Sequence, residues 1–298
     1  MVLTKAIRKI KVYSELVMFS HTIFSLSFAI ISMLLASNGL PSLYTSFWII
    51  VAFMGARTGA NAINRVIDAK IDAMNERTAK RHIPMGKVTI REAIVLTTVS
   101  FSIMLVGAAM LNPLCVLLSP VALILLLGYS YTKRFTWLCH LILGVTTAAA
   151  PVGAWIAVTG KISLSEVLMG AANVFWVAGF DIIYSSQDYA FDVAHSLHSI
   201  HVRFGVRNSL IISSAFHILS LACLILLGLV NSILGTWYFV GLIIITALLF
   251  FEHCPAATKN SQSIKVASYN INQIISILLL VFSLIDIFTK VGVEFRIF

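Results

Sequence analysis

The sequence predicts an all-α polytopic membrane bundle of about nine transmembrane helices, and three observations carry that prediction. Of 298 residues, 59% are hydrophobic and only 11% are charged, and the mean hydropathy is +0.96. A soluble domain has about a quarter of its residues charged, so the solvent for most of this surface is lipid. Apolar stretches long enough to cross a hydrocarbon core recur along the whole chain, and the basic residues between them fall predominantly on one side.

The apolar stretches lie at 16–36, 44–64, 92–111, 114–131, 138–158, 165–184, 209–230, 234–252 and 271–289. Helices are expected throughout, because lipid cannot satisfy the open backbone groups of an isolated strand. The first stretch follows Lys5, Arg8, Lys9 and Lys11 and outwardly resembles a signal peptide. It spans a bilayer and lacks an A-x-A-like cleavage site, so it reads as the first helix. No Pro/Gly/Ser-rich linker divides the sequence, and residues 1–298 read as one membrane domain. Cys115, Cys139, Cys223 and Cys254 form no C-x-x-C pair; they read as buried spectators rather than a disulfide or zinc framework.

Charge tests the segmentation. The N-terminus, the segment after the second stretch (Arg65, Lys70, Arg77, Lys80, Arg81, Lys87, Arg91) and the later even-numbered connections (Lys133, Arg134, Arg203, Arg207, Lys259, Lys265) hold 17 of the 21 Lys and Arg residues. The opposite side holds Lys161, Lys290 and Arg296, and Arg57 falls inside the second stretch. The expected protein is a multi-pass integral membrane protein, in the inner or plasma membrane if bacterial. Its N-terminus and active-site loops are expected to be cytoplasmic and its C-terminus on the other side. The net charge of +9 then describes one face against lipid headgroups. No base-stacking module accompanies it, so nucleic acid is not an expected partner.

Chemistry-bearing residues gather on that basic side. Asn64, Asp68 and Asp72 are spaced i, i+4, i+8, which puts three oxygen-bearing groups on one helical stripe. Like charges at that spacing repel and call for a cation, and oxygen ligands without His or Cys point to a hard ion such as Mg²⁺. A second stripe holds Asp188 and Asp192 at i, i+4, with Asp181 seven residues earlier in apolar helix. An ionisable group there faces a partner or an aqueous cavity. Arg77, Lys80, Arg81 and Lys133 supply the cations that a diphosphate needs. Each residue taken alone is explained by a topogenic cation or a solvated helix end. Two acidic stripes on one side, the first headed by asparagine, are not.

The order Asn64-x-x-x-Asp68-x-x-x-Asp72, then Arg77-Thr-Ala-Lys80-Arg81-His-Ile-Pro84, resembles the first aspartate-rich motif of the UbiA superfamily of membrane prenyltransferases. Asp188-x-x-x-Asp192 resembles the second motif, and Tyr129-x-x-x-Lys133 the element between them. The resemblance covers nearly the whole chain and implies a nine-helix bundle around a central cavity. It also implies that Asn64, Asp68, Asp72, Asp188 and Asp192 hold Mg²⁺, and that Asn64, Arg77, Lys80, Arg81, Tyr129 and Lys133 hold a polyprenyl diphosphate. The implied reaction is polyprenyl transfer to an aromatic acid of the 4-hydroxybenzoate type on a ubiquinone or menaquinone route. Asp181 or Asp192 would orient or deprotonate the acceptor, and His21 and His198 are its candidate contacts.

The chain departs from the pattern at Arg65, where many members carry Asp, at His82, where the tail often has Pro, and at Leu197-His198-Ser199. With Ser20-His21-Thr22, these features resemble the futalosine-type menaquinone branch, whose acceptor is 1,4-dihydroxy-6-naphthoate. His195, His198 and His201 read as a helix-end cluster rather than a metal site, and Glu252 and Asp286 as interfacial acids. Prenylation of a haem or chlorophyll side chain is another reading within the superfamily. A secondary transporter would use the same aspartates for ion binding. Against it, the acids gather at helix ends beside arginines rather than near the midplane of two matching repeats.

Overall fold

The computed structural model describes residues 9, 11–17, 22–256 and 266–291. Among these, nine long helices follow the order of the nine apolar stretches: α1 (Thr22–Ala36), α2 (Leu43–Ile67), α4 (Ile90–Leu111), α5 (Pro113–Gly128), α6 (Cys139–Thr159), α7 (Leu164–Ser185), α9 (Ile200–Val230), α10 (Thr236–Ala256) and α11 (Asn272–Val291). Two short helices, α3 (Ala69–Met74) and α8 (Tyr189–Ala194), follow α2 and α7 on the basic side. Seven of the long helices are long and apolar enough to cross a membrane. Within the described residues α1 is shorter, and α2 carries Arg57, Asn61, Asn64 and Arg65 in its second half.

Local sequence sets the helix starts. Thr89 and Glu92 form a capping box at α4, and Ser163 and Glu166 form one at α7. Asn112 caps α5 through Cys115 N at 3.0 Å, with Pro113 at the first helical position, where no N–H is needed. α9 begins nine residues before the expected 209, because its first turn continues across a kink at Gly205 (φ 77°, ψ 160°). That backbone conformation is open to glycine and strained for other residues.

In lipid, helices associate through close approach and interhelical hydrogen bonds rather than through a hydrophobic drive. Gly55 lets α2 lie against the α4 backbone: a Cβ there would stand 2.6 Å from Ser100 O and 2.7 Å from Met104 N. Ser213 Oγ donates to Gly179 O at 2.7 Å and Ser220 Oγ to Ala172 O at 2.8 Å, joining α9 to α7. Phe28 of α1 stacks on Trp176 of α7 with ring centroids 5.1 Å apart. α2 packs on α4 extensively but meets α1, α5 and α6 at few points. The space left between them is a cavity of about 730 Å³, walled by α1, α2, α4, α5, α6 and α7.

Burial adds to one expectation and corrects another. Glu252 and Asp286 stand near helix ends and are 0% and 3% exposed, held by the partners described below. The cysteines are unpaired, but Cys254 is exposed and the others only half-buried.

Candidate active site

The first acidic stripe survives a break in the helix. α2 ends at Ile67 and Asp68 adopts φ −89°, ψ 0°, yet Asp68 N still donates to Asn64 O at 2.9 Å and Asp72 N to Asp68 O at 2.8 Å. The i, i+4 succession therefore continues into α3. Asn64 Nδ2 lies 3.1 Å from Asp68 Oδ2 and 3.1 Å from Ser130 Oγ, and Arg65 NH1 donates to Asn64 Oδ1 at 3.2 Å.

Cations from neighbouring segments close over these acids. A 3₁₀ turn at Tyr129–Arg134 brings Lys133 Nζ to Asp68 Oδ2 and Arg134 NH2 to Asp68 Oδ1, each at 3.0 Å. Arg81 NH1 forks onto Asp72 at 2.7 and 2.8 Å. The side chains of Asp68 and Asp72 are 5% and 4% exposed, whereas those of Lys133, Arg134 and Arg81 are 31%, 29% and 27% exposed. The acids are set into the wall and the cations cover them from the solvent side.

The second stripe is broken as well. A 3₁₀ turn at Ser186–Asp188 separates α7 from α8, so Asp181, Asp188 and Asp192 do not share one continuous helix. Asp188 joins the first motif's tail: Asn75 Nδ2 donates to its Oδ1 at 2.9 Å, and Arg77 binds both of its oxygens. Arg77 also donates to Tyr184 OH at 2.6 Å. Burial works against the Arg77 charge, but its hydrogen bonds to Asp188 and the neighbouring Tyr184 outweigh this and hold its pKa above the ordinary arginine value. Asp192 is half-buried on α8. Asp181 turns toward α6, where His140 Nδ1 lies 2.7 Å from its Oδ2.

The remaining predicted residues are more dispersed. Lys80 is exposed. Tyr129 lines the cavity and donates to Ala60 O at 3.4 Å, rather than reaching Asp68. His198 is exposed, and its backbone N–H donates to Lys133 O at 2.7 Å. His21 lies outside the described residues.

Sequence reasoning gave no site role to Ser130, Asn75, Tyr184, His140 or Arg134. Asn75 carried a signal, since it follows Asp68 by seven residues, about two helical turns. Arg134 did not, because on an α-helix it would point about 100° away from Lys133. The tighter turn brings both to Asp68.

Among the described residues no three His, Cys, Asp or Glu side chains converge on one ion-sized point. The donor set nonetheless fits a hard divalent cation. It consists of oxygens, and those of Asp68 and Asp72 accept from long, partly exposed side chains that can swing aside.

Residues 25–274 match the UbiA prenyltransferase family. The 4-hydroxybenzoate octaprenyltransferase of Pseudomonas fluorescens (strain Pf0-1) is 31% identical over 223 residues, covering 73% of each chain. That of Aeromonas salmonicida is 33% identical over 224 residues, covering 73% of this chain and 75% of its own. The apo structure of a UbiA homolog from Aeropyrum pernix K1 has a TM-score of 0.81 at 33% identity, covering 90% of this chain and 98% of that one. A UbiA homolog from Archaeoglobus fulgidus bound to GPP and Mg²⁺ shares the fold, with a TM-score of 0.69 at 18% identity and coverage of 93% and 99%.

Proposed function

The chain belongs to the UbiA prenyltransferase family, and from that premise we propose that it transfers a polyprenyl group from polyprenyl diphosphate to an aromatic acid of the 4-hydroxybenzoate type in quinone biosynthesis. The observation that carries this reading is a juxtaposition. Asp68, Asp72 and Asp188, roofed by Lys133, Arg134, Arg81 and Arg77, are joined through Asn61 and Tyr129, on the segments that carry Asp68 and Lys133, to an apolar cavity of about 730 Å³ that those two residues line. A substrate with a polyanionic head and a long hydrocarbon tail matches both halves, and it resides in the bilayer that this multi-pass protein spans. All of residues 1–298 are taken as one catalytic unit, with the site on the cytoplasmic face.

Asn64, Asp68, Asp72, Asp188 and Asp192 would hold Mg²⁺, which when bound supplies Lewis-acid neutralisation of the departing diphosphate. The chain's own residues do the rest. Arg77, Arg81, Lys133 and Arg134 leave the carboxylates and, with Lys80, donate to the leaving oxygens, where charge grows as the allylic C–O bond breaks. The apolar wall keeps water from the electron-poor carbon until the ring attacks it. Asp181, held by His140, accepts the proton that the ring then loses.

Detergent-solubilised protein, given Mg²⁺, one polyprenyl diphosphate and either 4-hydroxybenzoate or 1,4-dihydroxy-6-naphthoate, tests the reading. At least one acid is expected to be prenylated, with activity abolished by excess EDTA. Full activity in EDTA would remove the metal from the reading, and two inert acids would remove the aromatic acid. Ion flux through reconstituted protein, lost on Asp68→Asn, would favour a transporter. The ratio of kcat/KM for the two acids separates the 4-hydroxybenzoate assignment from the naphthoate one.

A further inference from the structure

His140 lies in the first turn of α6 on the basic side, with 3% of its side chain exposed against 24% for Asp181. An ionised carboxylate only accepts, so the 2.7 Å approach of His140 Nδ1 to Asp181 Oδ2 puts a ring proton on Nδ1. The backbone behind the pair is tied as well. Ser185 Oγ donates to Asp181 O at 2.6 Å, which uses its one proton, so His201 Nε2, 2.9 Å away, donates to Ser185 Oγ. His201 is fully buried on the first turn of α9, and its ring lies 5.6 Å from that of His140. Three helices thus converge on Asp181. Asp68, Asp72 and Asp188 each carry a Lys or Arg, whereas among the described residues Asp181 is held by an imidazole, through one of its two oxygens.

Position gives the pair a use. α7 lines the cavity with Gly170, Ala171 and Val174, and Asp181 follows Val174 by seven residues, about two turns along the same face. Tyr184, one turn farther on, takes Arg77 NH1 at 2.6 Å while Arg77 Nε donates to Asp188. Asp181 therefore stands between the apolar cavity and the cations of the diphosphate end, at the level where the allylic carbon and the ring meet. We propose that His140 is the positioning residue of the deprotonation step, a role that rests on the reading of Asp181 as the base. By occupying Oδ2 it aims Oδ1 at the ring carbon that has just been alkylated. In that step the C–H bond of this carbon breaks, its electron pair restores the aromatic ring, and the proton moves to Oδ1. Oδ2 keeps its hydrogen bond from Nδ1 throughout. A carboxylate that turns freely about its Cβ–Cγ bond presents either oxygen or neither, whereas one pinned by a buried ring presents the same oxygen at each turnover. Ser185 and His201 hold the Asp181 backbone against recoil.

Ring-deuterium isotope effects on purified full-length protein test the assignment, using whichever of the two acids the wild type turns over, in protium and ring-deuterated form. His140→Leu removes the donor at similar size, His140→Asn keeps an N–H donor near the place of Nδ1, and Asp181→Asn removes the base. With departure of diphosphate limiting the rate, wild type should turn over both forms of the acid alike. His140→Leu should lower kcat about 10-fold, a part of what a positioned base contributes, and raise the protium-to-deuterium ratio of kcat about twofold or more because proton loss has become slow. His140→Asn should fall between the two in both measures, and Asp181→Asn should exceed His140→Leu in both. KM for polyprenyl diphosphate should move less than about twofold in His140→Leu, since Arg77, Arg81 and Lys133 are untouched. Slower turnover in His140→Leu at the wild-type ratio is a packing effect and overturns the proposal, as does wild-type turnover. If His140→Leu does not fold, His140→Asn carries the comparison: a ratio above that of wild type supports the role and the wild-type ratio overturns it. A raised ratio in Asp181→Asn without one in the His140 variants brings down the positioning role alone. Wild-type turnover in Asp181→Asn brings down the base and the positioning role together, and a wild type that prenylates neither acid brings down the acceptor reading with them.

Discussion

Two sets of acids sit in this bundle and are held in opposite ways. Asp68, Asp72 and Asp188 on the basic side are neutralised by long Lys and Arg side chains reaching in from other segments. Asp286 and Glu252, on helices of the C-terminal half, are held by shorter and more fixed groups. Asp286 accepts from the backbone N–H groups of Gly235 and Tyr238 at 2.7 Å each, at the start of α10. Glu252 accepts from Asn272 Nδ2 at 2.7 Å, with His217 Nδ1 3.8 Å from its other oxygen. A cation on a flexible stem can leave and be replaced by a ligand's cation, but a backbone N–H at a helix start cannot. Burial alone therefore does not mark function here, since Asp68 and Asp72 are as nearly solvent-free as Glu252 and Asp286. Exchangeability of the partner does.

Asp68→Asn gives the largest expected break in that contrast. It removes the charge on which Lys133 and Arg134 converge, with little change in size. Turnover of the polyprenyl diphosphate should fall by about 10²- to 10³-fold, the range for removing one well-placed electrostatic group. Stability should change by no more than about 1 kcal/mol, because the orphaned cations are already partly in water. Thermal unfolding in detergent beside the activity assay checks both; wild-type turnover in the variant would move the site elsewhere.

Lys133→Gln should have a smaller effect and sharpen the comparison. Arg134 still covers Asp68 from its other oxygen, so the site keeps most of its form. KM for the diphosphate is expected to rise about 10-fold, the scale of a single charge-assisted hydrogen bond in a partly exposed site. KM for the acid should stay put. A rise in both would mean that Lys133 shapes the pocket rather than holding the diphosphate.

Much of this was legible in the sequence, for physical reasons that also explain the remainder. Apolar length finds membrane helices because lipid leaves the backbone no alternative, and the nine stretches correspond to nine long helices among the described residues. The spacing of Asn64, Asp68 and Asp72 carried over because i→i−4 bonding persists through the break at Asp68. The second stripe did not carry over as a stripe, since periodicity cannot foresee the 3₁₀ turn at Ser186–Asp188 that separates Asp188 and Asp192 from the helix holding Asp181. The role of Arg134 depends on a partner 66 residues away of which local spacing holds no record, and the spacing of Asn75 from Asp68 does not disclose its partner 113 residues away. Arg57 was visible as a charge inside an apolar stretch, and only the structure places it on the wall of the cavity.

Asp286→Ala should have the smallest effect on catalysis and the clearest effect on the fold. Its carboxylate takes the N–H groups of Gly235 and Tyr238, with Trp237 N farther off at 3.4 Å, at a helix start where the dipole favours negative charge. Removing it strands those donors near the membrane surface, each costing about 1–3 kcal/mol if water cannot reach it. Partial access by water should bring the total to about 2 kcal/mol, read as a fall of several degrees in the unfolding temperature. Asp286→Asn keeps one acceptor oxygen and should lose less. Neither variant should alter kcat or either KM by more than about twofold in the protein that remains folded, since Asp286 is held by backbone N–H groups rather than by exchangeable cations of the kind that cover Asp68. Loss of turnover in a variant that melts like wild type would place Asp286 with the exchangeable acids and break the distinction between the two sets.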